Sequence, residues 1–294
     1  MEAVIPARNE ERYLPQTLDA LFGQTSPLDR VILVNDNSID ATARIGSDYG
    51  CDVVNITDGR GPRRHGSPSI AEVFNAGLAE VSLESDYVMI LGADHTLSRD
   101  YVGQVINHME RDGVSLGSGL IDGEATETPR GSGRLVSTCV WLKVMGRLAY
   151  PLVYGFETYL PLKMQIEGYR IAVYRDVSSH VQRATGLGTN YVAYGRGMKF
   201  LGYTMKYAFV RCAFAAVRFR DPGKLIQGIT GYLTYPLRSD VGPYLSQVQD
   251  RLFMSYVHEP GKLLRKLLAD VFHRPENTER NEEMQNTNAS ELLR

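Results

Sequence analysis

The chain has 294 residues but only three cysteines and one tryptophan. Cys51, Cys139 and Cys212 lie far apart with no CxxC pair, which argues against a zinc knuckle or a disulfide framework and suits a reducing compartment. There is no run of the roughly 18–20 apolar residues needed to cross a bilayer. The longest candidate, Tyr207–Phe219, is interrupted by Arg211 and Arg218, so no transmembrane helix is expected. A secretory leader is not expected either, because Met1 leads almost at once into what reads as a strand; the expected location is the cytoplasm. Neither GxGxxG after the first strand nor GxxxxGK followed by Ser or Thr occurs, which disfavours a Rossmann dinucleotide site and a P-loop. Internal repeats and the aromatic-basic motif of a nucleic-acid module are also missing, and nucleic acid is not an expected partner.

The rest of the composition, 43% hydrophobic and 22% charged with 28 Gly and 13 Pro, is that of an ordinary globular protein with one large domain, or one domain and an appendage. The net charge of −2 conceals an asymmetry. Residues 1–195 carry 17 Lys/Arg against 24 Asp/Glu, residues 196–275 carry 13 against 5, and residues 276–294 carry 2 against 5. Opposite signs in the two halves predict different partners for them.

The first 100 residues alternate short apolar runs with helical patterns, the signature of βα units feeding a mainly parallel sheet. Strands are expected at Ala3–Pro6, Val31–Val34, Asp52–Ile56 and the wholly apolar Tyr87–Leu91. Helices are expected over Glu10–Phe22 with Asn9 as N-cap, over Ala41–Tyr49 capped by Ser38 or Asp40, and over Ser69–Val81. Farther on, Leu116–Ile121 and Ile171–Val173 read as strands, and Leu135–Met145 suits a strand or a helix equally. Arg196–Phe219 reads as one basic amphipathic helix, with Ala208, Phe209, Cys212, Ala213, Ala216 and Phe219 on one arc and Lys199, Lys206, Arg211 and Arg218 on the other. Leu263–Phe272 repeats that character, and Pro275–Arg294 is polar enough to predict a disordered tail.

In an open α/β sheet, ligands bind beyond the carboxyl ends of the strands, where loops converge and helix N-termini point at one space. Three polar clusters fall at such ends: Ala7-Arg8-Asn9-Glu10, Asn35-Asp36-Asn37-Ser38 and Gly92-Ala93-Asp94-His95. Their coincidence predicts a nucleotide crevice. With no P-loop, a carboxylate-bound divalent cation helped by Arg60, Arg63 and Arg64 would neutralise a diphosphate.

The sequence resembles the family-two glycosyltransferases, inverting enzymes of the GT-A fold. The resemblance rests on Val4-Ile5-Pro6-Ala7-Arg8-Asn9-Glu10-Glu11, Val34 to Thr42, Ile90-Leu91-Gly92-Ala93-Asp94, Gly155 to Leu160 with Glu167 to Ile171, and Val177–His180 with Tyr194-Gly195-Arg196-Gly197. These blocks stand in the family's order over about the first 200 residues. The resemblance implies a GT-A domain at 1–195; the helical pattern and composition add a basic helical extension at 196–274 and a disordered tail at 275–294. The resemblance implies that Asp36 bonds the base of a nucleotide-diphosphate sugar, with Pro6, Ala7, Arg8 and Glu10 lining base and ribose; Arg60 and Arg64 of the basic loop, and Ala93, are further donor-binding candidates.

Asp94 matches the last aspartate of the family's DxD, the ligand of a Mn or Mg cation; Gly92 replaces the first, leaving His95 and His180 as further candidate ligands. Glu157 is the candidate general base, since inversion by direct displacement needs a carboxylate to take the acceptor's proton. Many relatives use lipid-linked acceptors, so the acceptor is expected on a lipid or a glycan, and the basic helix is expected at the inner face of the membrane. Plainer roles stay open: Asp36 and Asp94 as turn residues, Glu157 on a solvated helix face, the arginines as loop solubilisers, either histidine as structural, and the basic helix packed on the domain. So do two rival functions, a non-catalytic sugar-nucleotide-binding protein and a sugar-phosphate nucleotidyltransferase.

Overall fold

The computed structural model describes residues 1–258, apart from residues 62, 64–66, 125, 127 and 184–189, and gives the backbone alone for 251–258. Its elements in chain order are β1 (Glu2–Ala7), α1 (Leu14–Phe22), β2 (Arg30–Asp36), α2 (Thr42–Asp48), β3 (Asp52–Ile56), α3 (Pro68–Leu78), β4 (Tyr87–Ile90), β5 (His95–Leu97), α4 (Tyr101–Asp112), β6 (Val114–Ile121), β7 (Arg134–Ser137), α5 (Thr138–Met145), α6 (Phe156–Ile166), β8 (Arg170–Val181), α7 (Tyr191–Leu201), α8 (Met205–Arg218), α9 (Gly223–Thr234) and α10 (Gly242–His258). The strands form one sheet in the order β3-β2-β1-β4-β7-β6-β8-β5. Pairing is parallel among β1, β2, β3 and β4 and between β6 and β8, and antiparallel where β7 joins β4 to β6 and where β5 closes on β8. This is the expected α/β architecture, a mixed and mostly parallel sheet flanked by helices.

β1, β2 and β4 are nearly continuous apolar runs because both faces are covered. On one face Ala3, Ile5, Leu33 and Met89 pack with α1 and α4; on the other Val4, Ile32, Val34 and Ile90 pack with α3, α5 and α6, around Trp141. The register sets the site. Ala7 lies opposite Asn35 and Asn35 opposite Asn55, while Val4 lies opposite Ile90. Arg8, Asp36, the 57–67 connection and the Gly92–Asp94 turn therefore all leave the sheet at one edge.

Three expectations change in detail. Asn9 is not an N-cap: it adopts a left-handed φ of 54°, donates its N–H to Ser38 Oγ and accepts from Ile39 N at 2.9 Å, tying the first two loops together. α1 starts later, at Leu14, with Pro15 in the first turn where its missing N–H costs nothing. Leu135–Met145 is both strand and helix, for β7 gives way to α5 at Thr138.

The predicted helix from Arg196 is two helices, because α7, which begins at Tyr191 and so spans the expected 195/196 boundary, ends at Gly202 with φ 83°. A Cβ at Gly202 would stand 2.3 Å from Gly242 Cα, so only glycine fits that turn. α7 and α9 meet backbone to backbone, since a Cβ at Gly195 would lie 1.9 Å from the Gly228 carbonyl oxygen and one at Gly231 would lie 2.1 Å from that of Val192. In α8 only part of the predicted apolar arc is inward: Ala208 and Cys212 are buried beside Ala215, whereas Phe209 faces water and Arg211 donates to the Tyr194 hydroxyl at 2.6 Å. Leu263–Phe272 and the 275–294 tail lie outside the described residues.

Candidate functional site

Two charge clusters form at the sheet edge. Asp36, at the end of β2, is 3% exposed. Both of its carboxylate oxygens accept from Arg63 Nε at 3.0 Å, Asn37 donates at 2.9 Å, and Arg8 Nη1 stands 3.5 Å away. Arg63 also donates to Asp58 at 2.9 Å and Glu72 at 3.1 Å, and Arg60 reaches the same two carboxylates at 2.6 and 2.9 Å. Arg8 donates to the carbonyls of Arg60 and Gly61. The backbone N–H of Arg60, with its side chain, Asn37 and Arg63, holds the Asp58 carboxyl well below the usual carboxylate range.

A cleft of about 440 Å³ opens beside this cluster, lined by Arg60, Arg63, Ser67, Ser69, Glu72 and Tyr154. It lies at the start of α3, where the helix dipole favours an anion. Arg64 lies outside the described residues.

The second cluster is built on the Gly92–Asp94 turn. Thr17 Oγ1 donates to the Ala93 carbonyl at 2.9 Å and pins that turn to α1. Asp94 Oδ2 accepts from Arg183 Nε at 2.8 Å, and Glu10 accepts from Arg183 Nη2 at 2.7 Å, so one guanidinium joins the end of β1 to the end of β4. Burial pushes the Glu10 carboxyl above its usual range, and Arg183 works against that rise.

Glu157 stands in the first turn of α6, where a carboxylate suits the helix dipole. Its carboxylate lies over Gly131, at which a Cβ would be 2.7 Å from Oε1. The next residue, Ser132, accepts from Gly92 N at 2.7 Å and bonds His95 Nδ1 at 2.6 Å. The Asp94 turn and the Glu157 carboxylate are thus joined through the adjacent residues 131 and 132. Arg134, buried, fixes the start of α6 by donating to the Glu157 carbonyl at 3.0 Å and to the Tyr150 hydroxyl.

Asp36, Arg8, Arg60, Glu10, Asp94 and Glu157 therefore gather at the carboxyl edge of the sheet. Ala7 and Ala93 belong to the core cluster beneath, where their side chains pack, and Pro6 lies opposite Val34 in the sheet. The three proposed metal ligands are differently disposed. His95 is 1% exposed, with Nε2 buried and unpartnered, and burial lowers its pKa to about 4. His180 lies opposite Thr96 with its ring 3.7 Å from the Asp122 carboxylate. Among the described residues no group of three His, Cys, Asp or Glu converges into an all-protein cage. Asp94 presents a carboxylate at the turn, paired here with Arg183, which also holds Glu10; a Mg²⁺-like ion is commonly held by one or two carboxylates with substrate phosphates and water.

Residue reading missed Arg183, Ser132, Arg134 and Tyr154. Arg134, a charge entering an otherwise apolar strand, was a legible signal. Arg183 falls between Val177–His180 and Tyr194–Gly197, and Ser132 has no local signature.

The model of glycosyl transferase family 2 matches residues 2–164. The 4,4'-diaponeurosporenoate glycosyltransferase of Staphylococcus aureus is 32% identical over 111 residues, 37% of this chain and 28% of that protein; the match thus spans under a third of the relative's length. Among solved structures, S. aureus TarS 1–349 in complex with UDP-GlcNAc superposes with a TM-score of 0.58 at 14% identity, covering 96% of this chain and 91% of that one. The mannosyltransferase PcManGT from Pyrobaculum calidifontis, in complex with GDP-Man and Mn²⁺, gives 0.55 at 16% identity, covering 92% and 84%. At such identities these two likenesses speak for the fold.

Proposed function

The chain belongs to glycosyl transferase family 2, and from that premise we propose that it moves one sugar, with inversion, from a nucleotide-diphosphate donor to a hydroxyl on a lipid-linked or glycan acceptor. The observation that carries this reading is the gathering of Asp36, Asp94 and Glu157, distant in sequence, at one sheet edge beside a cleft lined by Arg60 and Arg63.

Asp36 and Arg8 bind the base and ribose of the donor, and Arg63, which now satisfies Asp36, gives up one of its carboxylate partners when the base arrives. Arg60 and Arg183 place positive charge along the diphosphate. Asp94 would hold a divalent cation, Mn²⁺ or Mg²⁺, together with the donor's phosphates, and such an ion would stabilise negative charge on the departing diphosphate. Glu157 accepts the proton of the attacking hydroxyl, and Arg134 keeps the helix that carries it in position.

Phe156, beside the candidate base, does not favour a non-catalytic reading: it is a core residue packed on Phe74 and Tyr150, and the acidic Glu157 follows it. Incubating the protein with a panel of sugar nucleotides and Mn²⁺ tests the proposal. Release of a nucleoside diphosphate supports transfer; turnover of inorganic diphosphate identifies a nucleotidyltransferase; binding without turnover identifies a non-catalytic protein.

A further inference from the structure

Beyond the sheet edge, a second cleft of about 370 Å³ lies among the C-terminal helices. Lys199 and Arg238 line it with Tyr203, Tyr232, Thr204 and Ser246. Lys199 Nζ sits 4.8 Å from the centre of the Tyr232 ring, whose hydroxyl is spent on the Tyr203 carbonyl. Among the described residues no carboxylate pairs with Lys199 or Arg238; Asp240 is engaged by Lys163 and Tyr159, and Asp221 by the Gly223 N–H and Lys224. Two cations thus face one pocket without a paired carboxylate.

Met205, which lines this pocket, and several residues on the nearby elements leave apolar side chains in water. Met205 is 43% exposed; Phe209, one helical turn on and therefore on the same face of α8, is 52% exposed. Leu237, beside Arg238, is 52% exposed, and Leu233, beside Tyr232, is 61% exposed. Residues 205–244 hold six Lys/Arg against two Asp/Glu. A second copy of the chain would bring like charges face to face, which disfavours self-association. A surface that offers anionic phosphodiesters at its boundary and hydrocarbon just beneath complements both features at once.

We infer that this face docks on an anionic phospholipid bilayer, with the Lys199–Arg238 cleft receiving a headgroup phosphate and Met205, Phe209, Leu233 and Leu237 entering the acyl boundary. The face adjoins the donor cleft: Tyr154, which lines that cleft, accepts from Arg196 of α7 at 2.8 Å and packs edge-on against Tyr235, two residues before Leu237. Docking by this face brings a lipid-borne acceptor to the side of the molecule where, on the transferase reading, transfer takes place.

Sedimentation of the full chain with vesicles tests the inference. The chain is expected to bind phosphatidylcholine vesicles containing phosphatidylglycerol, to leave pure phosphatidylcholine in solution, and to be released by high salt. Lys199→Gln with Arg238→Gln weakens vesicle binding about fivefold or more per charge removed. Phe209→Glu with Leu237→Glu, both surface substitutions, abolishes binding while circular dichroism and melting temperature stay unchanged.

Asp36→Asn removes donor binding if the transferase reading holds and leaves vesicle binding intact, so the two ideas fail separately. Vesicle binding unaffected by either double substitution overturns the inference. So does self-association in sedimentation velocity that Phe209→Glu with Leu237→Glu abolishes, since a second copy then covers the face. Equal release by millimolar inorganic phosphate and by matched chloride supports the lipid surface; selective release by phosphate makes the cleft a free-anion site and overturns it.

Discussion

In the sheet-bearing part of the molecule apolar side chains turn inward; in the four C-terminal helices many stay in water. Of the fourteen large hydrophobic residues exposed among the described residues, nine lie between Met205 and Tyr244. The sheet has extensive clusters on both faces, whereas the helices are held by Met198, Ala208, Cys212 and Tyr232 in one small cluster and Phe200, Leu201 and Val241 in another. Because stability follows buried apolar area, the sheet can carry clustered charges at its edge. The helices depend on close backbone contact through Gly195, Gly228 and Gly231 instead. One region gathers charge at an edge; the other leaves apolar side chains in water.

The largest expected break in this division of labour is Glu157→Gln. It lowers turnover by about 10²–10⁴-fold while donor affinity stays near that of the native protein; steady-state kinetics with calorimetry of nucleotide binding checks both. An unchanged turnover removes Glu157 from the mechanism and leaves the sheet edge as a binding site only.

Gly231→Val comes next, on the other side of the comparison. A side chain driven into the Val192 carbonyl separates α7 from α9 and costs about 1–3 kcal/mol or more. Hydrogen exchange should rise in α7–α9 and stay low in β1, β2 and β4; uniform loss of protection would mean that the two regions unfold as one unit.

Arg183→Gln is expected to act on the site with less force. It removes the bridge between Glu10 and Asp94 and one cation from the diphosphate path, and should weaken nucleoside diphosphate binding by about tenfold, the scale of one charged hydrogen bond. Full affinity in the variant would make Arg183 a structural tie alone.

The smallest effect is a difference in thiol reactivity. Cys139 is exposed, whereas burial pushes the Cys51 thiol up to about 12 and raises that of Cys212 as well. With a thiol reagent at pH 8, one group should react at once. Cys212, at the α8–α9 contact, should follow at lower urea than Cys51, which belongs to the core of the sheet. Simultaneous reaction of the two would erase the contrast.

Much of the sheet's first half was legible because Ala3–Pro6, Val31–Val34 and Tyr87–Leu91 are covered on both faces and therefore read as unbroken apolar runs. Asp36 and Asp94 could be picked out because each stands within three residues of the end of such a run. Leu135–Met145 resisted assignment because it changes from strand to helix at Thr138, so neither periodicity runs long enough to declare itself. The reading of α8 failed on orientation: its composition is amphipathic, but Gly228 lets α9 approach the Ala208–Cys212–Ala215 stripe closely, so small residues rather than Phe209 fill the contact.

Local order along the chain, set by runs of side chains and the reach of neighbouring hydrogen bonds, was determined by the sequence alone: βα units, strand-end carboxylates and a basic second half. Tertiary structure decided which charges meet. Arg63 on Asp36, Arg183 across Glu10 and Asp94, Ser132 between Gly92 and His95, and the Lys199–Arg238 pocket all join residues whose distance along the chain says nothing about their distance in space. Only the parallel register of the strands and the packing of helices on them bring such pairs within hydrogen-bonding range.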